Sequence, residues 1–342
     1  MLLKKLCNEI GVSGNEDRIR AIISEEVKPY TDEIKIDSLG NLIAFKKGRD
    51  HSKKVMIAAH MDEVGFIISG ITDKGYLKFK TVGGIDARVV ISKRVLVGDE
   101  KIPGIIGMKA IHLQRASERE NVPDFDDLTI DIGAKSKEEA KKKVSIGDYA
   151  AFDTVYSDFG TDKVKAKALD DRVGCMLLIE ALKHSCKYDF YACFTAQEEV
   201  GTRGAAVCAY KINPDIALVL EGTTCADVYQ SEEKDFVTTC GGGAVLTIMD
   251  NGMIADRNLR EYLYNMAKEN NVAIQYKRAA TGGTDAGIIH KTNCGVKTAV
   301  LAVPCRYLHS PVSVASKKDI EAAERFVKLY LENIGGIING IA

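Results

Sequence analysis

Val55-Met56-Ile57-Ala58-Ala59-His60-Met61-Asp62-Glu63-Val64-Gly65 is the stretch whose reading decides the fold. Its first half, 55–59, is apolar without alternation. Such a run describes a strand covered on both faces, as in a sheet packed between helices. It stops at His60 and Asp62. An imidazole is a good ligand for zinc, cobalt or nickel. Asp62, two positions on, shares a strand face with His60 and is placed to accept its second ring N–H.

The same pattern recurs downstream. Strand-like runs over 190–195, 216–220, 245–249, 272–276 and 298–303 alternate with helical periodicity over 171–183, 204–210 and 258–269. A last helix carries Ile320, Ala323, Val327, Leu331 and Ile334, with Ser316 and Asp319 placed as a capping pair. Upstream, Ile19, Ile22, Ile23 and Val27 lie at helical spacing until Pro29, and strands follow over 33–37 and 42–45 around a Gly40-Asn41 turn. This alternation specifies an α/β fold: a mixed, largely parallel sheet sandwiched by helices.

From Gly70 to Gly160 the texture changes. Short β-like runs, at 76–82, 94–97, 128–132 and 149–152, are separated by glycine-containing breaks, and only 136–143 reads as a helix. We expect a small β-rich domain over 70–160, inserted in a larger α/β domain made of 1–69 and 161–342.

Composition narrows the function. Of 342 residues, 46% are hydrophobic and 28% charged, as in a soluble globular protein. Lys plus Arg is 47 against 48 for Asp plus Glu, so no basic excess points to nucleic acid. No apolar run is long enough for a membrane span, and the opening residues lack a secretory pattern. Nine scattered cysteines without a Cys-x-x-Cys read as reduced thiols. A cytoplasmic enzyme is the expectation.

In open α/β sheets, ligands bind at the carboxyl ends of strands. Metal-type side chains gather at such positions here. Ala168-Leu169-Asp170-Asp171-Arg172 opens a helix, where an Asp serves as a cap or, pointing outward, as a ligand. Gln197-Glu198-Glu199-Val200-Gly201 follows a strand; it is a solvated acidic loop, or one carboxylate ligates while the other works on water. Glu221 ends another apolar run, and His309 follows the strand at 298–303. His60, Asp170, Glu199, Glu221 and His309 suit two metal ions sharing one carboxylate. Two histidines, three carboxylates and no cysteine fit borderline to hard divalent ions. Thr284 and Asp285, in a Gly-rich loop, read either as substrate-pocket residues or as a loop braced by Asp hydrogen bonds. Arg306 and Lys277 are cations that an acidic substrate side chain could meet. His51, His112, His184 and His290 read as bystanders.

Taken in order, His60-Met61-Asp62, Ala168-Leu169-Asp170-Asp171-Arg172, Gln197-Glu198-Glu199-Val200-Gly201, Gly282-Gly283-Thr284-Asp285-Ala286 and Arg306-Tyr307-Leu308-His309-Ser310 resemble the tetrahedral aminopeptidases, the family of glutamyl aminopeptidase and of endoglucanase homologues. The similarity runs from Gly11-Val12-Ser13-Gly14 to His309. The resemblance implies a fold of the di-zinc exopeptidase type whose inserted domain serves dimerisation, with dimers assembling into a homododecamer. It implies two divalent ions per subunit, zinc, cobalt or manganese. Asp170 would bridge them, with His60 and Glu221 on one, Glu199 and His309 on the other, and a cis peptide from Asp170 to Asp171. N-terminal amino acids would be released from peptides by a metal-bridged hydroxide, with Glu198 as general base and Asp62 behind His60. Glu221 stands where many members carry Asp; its longer arm still offers oxygen.

Two other readings use the same residues: a dinuclear amidohydrolase or deacylase acting on non-peptide amides, and a non-catalytic assembly protein on the same scaffold. A glycosidase needs two carboxyl groups roughly 5–9.5 Å apart across a sugar bond, which adjacent Glu198 and Glu199 fit poorly, and the chain has no tryptophan for sugar stacking.

Overall fold

The computed structural model describes residues 1–340. Its largest element is an 11-stranded mixed sheet. Four strands at its centre, Tyr188–Thr195, Asp50–His60, Ile216–Thr224 and Lys297–Arg306, lie side by side and parallel. Antiparallel strands flank them: Leu42–Lys46 and Glu33–Ile36 on one side, Ser313–Ser316, Lys163–Ala166 and Ser157–Phe159 on the other. Ala244–Thr247 branches from Lys297–Arg306 and pairs in parallel with Ile274–Lys277.

The unbroken apolar run in the second strand now has its reason. Val55, Ile57 and Ala59 point into one core, shared with Leu218, Leu220 and the helix Leu169–Leu182. Met56 and Ala58 point into another, shared with Ala217, Val219 and the helix Arg203–Ile212. Both faces are covered, so neither parity can be polar. The central strands finish nearly level: His60 pairs with Thr195, and Glu221 with Ala302.

The intervening segment folds as a closed six-stranded barrel, in the order Gly65–Ile71, Leu77–Val82, Thr129–Asp131, Ile102–Gly107, Arg94–Val97, Tyr149–Phe152. Phe66 sits at its centre, edge-on to Phe79 and Phe152 with ring centroids 4.9 and 5.3 Å apart. Three helices stand here where the sequence showed one. Lys137–Lys141 is capped by Ser136 as read, but Ala87–Val90 and Ala116–Glu120 are additional. At four and five residues they complete about one turn, too short for a period to show. The final helix also departs from expectation. Ser316 caps it by accepting the Lys318 N–H, whereas Asp319 accepts the amides of Gly241 and Gly243 at 2.6 and 2.7 Å. A tertiary partner has taken the side chain a capping box would use. No helix among the described residues is long and apolar enough to cross a membrane.

A buried ion cluster joins the N-terminal segment, the first ligand strand and the helix that carries Asp170. The Glu63 carboxylate accepts from Lys167 Nζ at 2.7 and 2.8 Å, from Arg172 at 3.3 Å and from the Gly11 amide at 2.9 Å. Arg172 also donates to the Leu6 carbonyl at 2.6 Å. All three side chains are almost fully buried. Removing one partner of a buried pair strands the other charge. Glu63→Gln is therefore expected to lower unfolding free energy by about 3–5 kcal/mol, measured by urea denaturation, and Lys167→Met in the same background to recover part of the loss.

Candidate active site

Four loops at the carboxyl edge of the central strands meet over one cavity of about 280 Å³. His60, Asp170, Glu198, Glu199, Glu221 and His309 line it. The residues singled out from the strand ends are thus brought together.

Their geometry centres on Asp170. Its Oδ1 lies 3.4 Å from His60 Nε2, and its Oδ2 lies 3.6 Å from His309 Nε2. His60 Nε2 is also 3.5 Å from Glu221 Oε2, and His309 Nε2 is 3.3 Å from Glu199 Oε2. One carboxylate therefore faces two imidazoles through different oxygens. Each imidazole has a second carboxylate of its own.

Local backbone explains how Asp170 reaches this position. Ala168 is left-handed at φ 52°, the Asp170-Asp171 peptide is cis, and neither Asp has helical torsions. Regular helix begins beyond them, where Asp171 Oδ1 accepts the Gly174 N–H at 2.9 Å. The two readings of this pair are thus both realised: Asp171 caps and Asp170 faces the cavity. Gly222 crosses directly behind, its amide 3.2 Å from Asp170 Oδ1. A Cβ on Gly222 would meet Asp170 atoms at 2.9–3.0 Å, so only glycine fits.

Asp62 has more to do than stand behind His60. His60 Nδ1 lies 3.2 Å from the Asp62 carbonyl oxygen and 3.4 Å from its carboxylate. That carboxylate also accepts the Glu198 amide at 3.0 Å, the Glu199 amide at 3.1 Å and the Ser13 hydroxyl at 2.6 Å. One buried side chain thus fixes a histidine and the backbone of both glutamates. Glu16 assists by accepting the Gln197 amide, and Asn41 accepts that of Ala196. The sequence gave no sign of Ser13, Glu16 or Asn41 in these roles; their partners lie 49 to 181 positions away. Only the Gly11-Val12-Ser13-Gly14 match hinted that this segment belongs to the site.

Burial and crowding set the electrostatics. Burial raises Glu199 to about 7, helped by Asp170 and Asp62 and opposed by His309. Burial likewise raises Glu221 to about 8, with Asp170 and Asp285 adding to it. Glu198 is pushed well above the usual carboxylate range, chiefly by burial. Burial opposes ionisation of Asp170 too, but hydrogen bonds from His309 and His60 outweigh it and hold its pKa low. Burial works against charge on His309 as well, yet Asp170 and Glu199 lift it to about 9.

The donor set suits metal ions. Ligand atoms of His60, Asp170 and Glu199 lie within 4.8 Å of one another, as do those of His60, Asp171 and Glu221. Glu221 Oε1 and Asp171 Oδ2 are buried without a hydrogen-bond partner. Glu198 belongs to neither group, although it lines the cavity.

The expected pocket residues separate. Thr284 lines the cavity and donates to Asp250 at 3.1 Å. Asp285 is buried away from the lining and accepts the Thr195 hydroxyl at 2.5 Å. Arg306 is also off the lining, in a two-pronged pair with Asp227 at 2.9 and 2.8 Å. His51 pairs with Asp189, His290 bonds the Ala286 carbonyl, and neither these nor His112 and His184 line the cavity.

The family pattern described as M42 glutamyl aminopeptidase matches residues 40–326. The chain belongs to this family. It is 43% identical to a putative aminopeptidase of Acetivibrio thermocellus, covering 97% of each chain. It is 33% identical to a lysyl aminopeptidase of Pyrococcus furiosus, over 97% of this chain and 96% of that one. Among solved structures it resembles the Pyrococcus horikoshii TET1 peptidase, which assembles into a tetrahedron or a large octahedral shell, at 36% identity and TM-score 0.86, over 96% and 98% of the two chains. As an M42 peptidase the protein is a peptide-bond hydrolase.

The Gly222 contact yields a test. Gly222→Ala must push Asp170 out of line, and a shift near 1 Å at a catalytic group costs about 100-fold in rate. A drop of that order in kcat/KM on aminopeptide substrates is expected, with the far-UV spectrum unchanged.

Proposed function

We propose that the protein is a metal-dependent aminopeptidase that releases N-terminal amino acids from peptides, using two divalent ions held by His60, Asp170, Glu199, Glu221 and His309. The observation that carries this reading is the double engagement of Asp170, one oxygen toward each histidine. His60, Asp170 and Glu221 form one ligand set, and Asp170, Glu199 and His309 the other. The fit is chemical as well as geometric. Buried carboxyl groups with raised pKa values, and a buried Glu221 oxygen without a partner, are what an acidic site shows when its neutralising cations are left out of account. Bound ions of this kind activate water and polarise a scissile carbonyl.

The chain's own groups do the rest. Glu198, outside both ligand sets, is the general base: it takes the proton of the attacking water and returns it to the leaving amine. Its raised pKa lets the carboxyl hold that proton between the two events. Asp62 is a positioning residue, holding His60 and the Glu198-Glu199 backbone together. Anionic groups around the cavity favour the cationic α-amino group of a peptide, which makes the enzyme act from the N-terminus. Residues 1–69 and 161–342 form the catalytic domain in this reading. The insertion at 70–160 serves dimerisation, which its exposed Ile105, Ile111, Leu113 and Val122 support, and dimers build a homododecamer. Nine free cysteines support a reducing, cytoplasmic location.

The deciding experiment strips metal with a chelator, adds back Zn²⁺, Co²⁺ or Mn²⁺, and follows free-amine and N-acylated aminoacyl-p-nitroanilides. Activity on free-amine substrates alone is expected; preference for the acylated ones identifies a deacylase instead. Glu198→Gln should keep its metal and lose about 10²- to 10⁴-fold in kcat. Full activity in that variant sinks the mechanism.

Metal uptake should also depend on pH. Protons on Glu199 (about 7), Glu221 (about 8) and His309 (about 9) must leave before those atoms can ligate. Affinity is therefore expected to rise with pH across this range, with net proton release in calorimetry. An affinity flat with pH would contradict the ligand assignment.

A further inference from the structure

One cation in the cavity wall has no anion beside it. Lys277 lines the same cavity as the metal-type residues and is only 7% exposed. Its Nζ donates to the Thr281 carbonyl at 2.6 Å. Among the described residues no carboxylate lies within ion-pair distance of it. An ammonium carries three N–H donors, so the carbonyl leaves donor capacity free. The contrast with Arg306 is direct. Arg306 is met on both prongs by Asp227 and stands off the lining, so it has little left for a ligand.

Placement adds to this. Lys277 ends the strand Ile274–Lys277 and pairs with Thr247, another lining residue. The sheet runs from the Glu221 strand through Lys297–Arg306 and Ala244–Thr247 to the Lys277 strand. Three strand spacings amount to roughly 14 Å of backbone. The Lys277 arm reaches back across part of that span to the common cavity. Around it the wall carries Thr247, Thr281 and Thr284, not carboxylates. The cavity is thus polarised, with anions and imidazoles at one end and an uncompensated ammonium at the other. Burial lowers the pKa of Lys277, and the more distant Asp250, Glu221 and Asp170 only partly offset it. A carboxylate arriving in the cavity would supply the missing partner.

We infer that Lys277 is the specificity-determining residue of this site and that it selects peptides whose first residue carries a carboxylate. The inference rests on the aminopeptidase reading above: with the α-amino group held at the acidic end, the first side chain points toward Lys277. The names of relatives do not settle the point, since one carries a lysyl designation. An uncompensated lysine in the pocket repels a lysyl side chain and attracts a glutamyl or aspartyl one.

The test compares metal-loaded enzyme on Glu-, Asp-, Gln-, Leu- and Lys-p-nitroanilides. Gln is the isosteric control for Glu. A charge-assisted hydrogen bond predicts kcat/KM for Glu roughly 10- to 100-fold above Gln, with Lys poorest. Lys277→Met should abolish the Glu-over-Gln ratio, and Lys277→Arg should restore part of it. An unaltered ratio in Lys277→Met, or a wild-type enzyme that favours Leu or Lys over Glu, overturns the inference and leaves the aminopeptidase reading standing. No hydrolysis of any free-amine substrate overturns both. Should Lys277→Met fail to fold, inhibition of the wild type by free glutamate against free glutamine decides the same question: equal inhibition refutes it.

Discussion

Negative charge crowded into a buried space is the constraint on which this structure depends. Asp62, Asp170, Asp171, Glu198, Glu199, Glu221 and Asp285 surround two histidines at the edge of a sheet covered on both faces. Two like charges 4 Å apart at an effective dielectric near 20 repel by about 4 kcal/mol. No fold tolerates several such pairs without compensation. The chain supplies part of it through aimed amides, from Glu198 and Glu199 onto Asp62, from Gly174 onto Asp171 and from Gly222 onto Asp170. Protons or cations must supply the remainder. The same repulsion that makes the empty arrangement unfavourable makes it receptive to divalent ions.

The barrel does not stand apart from this site. Its first strand begins at Gly65, five positions after His60. The Gly83-Gly84 turn after its second strand returns to the cavity. A Cβ on Gly83 would lie 3.4 Å from Glu199 Cβ, and one on Gly84 3.7 Å from His309 Nδ1. Bulk at this turn would press on the second ligand set directly. Whatever holds the barrel in place therefore also helps hold Glu199 and His309.

Much of this was legible in the sequence, and the exceptions have a common cause. Apolar runs without alternation announced the doubly covered strands, and each ended in a side chain that the structure brings to one cavity. Asp170 and Asp171 were open between cap and ligand because sequence shows neighbours and not directions; the torsions at Ala168 and beyond divide the roles. Glu63, Lys167 and Arg172 carried no local pattern, since their pairing spans more than a hundred positions. Asp319 looked like a capping residue until Gly241 and Gly243 came to it from elsewhere. Lys277 and Arg306 were equivalent cations on paper, and only Asp227 tells them apart. Local rules read well wherever the partner is local.

The order of the sheet has a consequence for synthesis. His60 lies near the start of the chain and His309 near its end, and the strand Lys297–Arg306 that leads to His309 docks beside Ile216–Thr224. Chains leave the ribosome N-terminus first and fold as they emerge. A nascent chain holding His60, Asp170, Glu199 and Glu221 has one histidine for its buried carboxylates until the last strands arrive. The second ligand set is therefore a late event, completed only when translation is almost finished. A truncated product would display the acidic half of a hydrolytic centre without the imidazole that completes it, which makes full-length synthesis a precondition for activity.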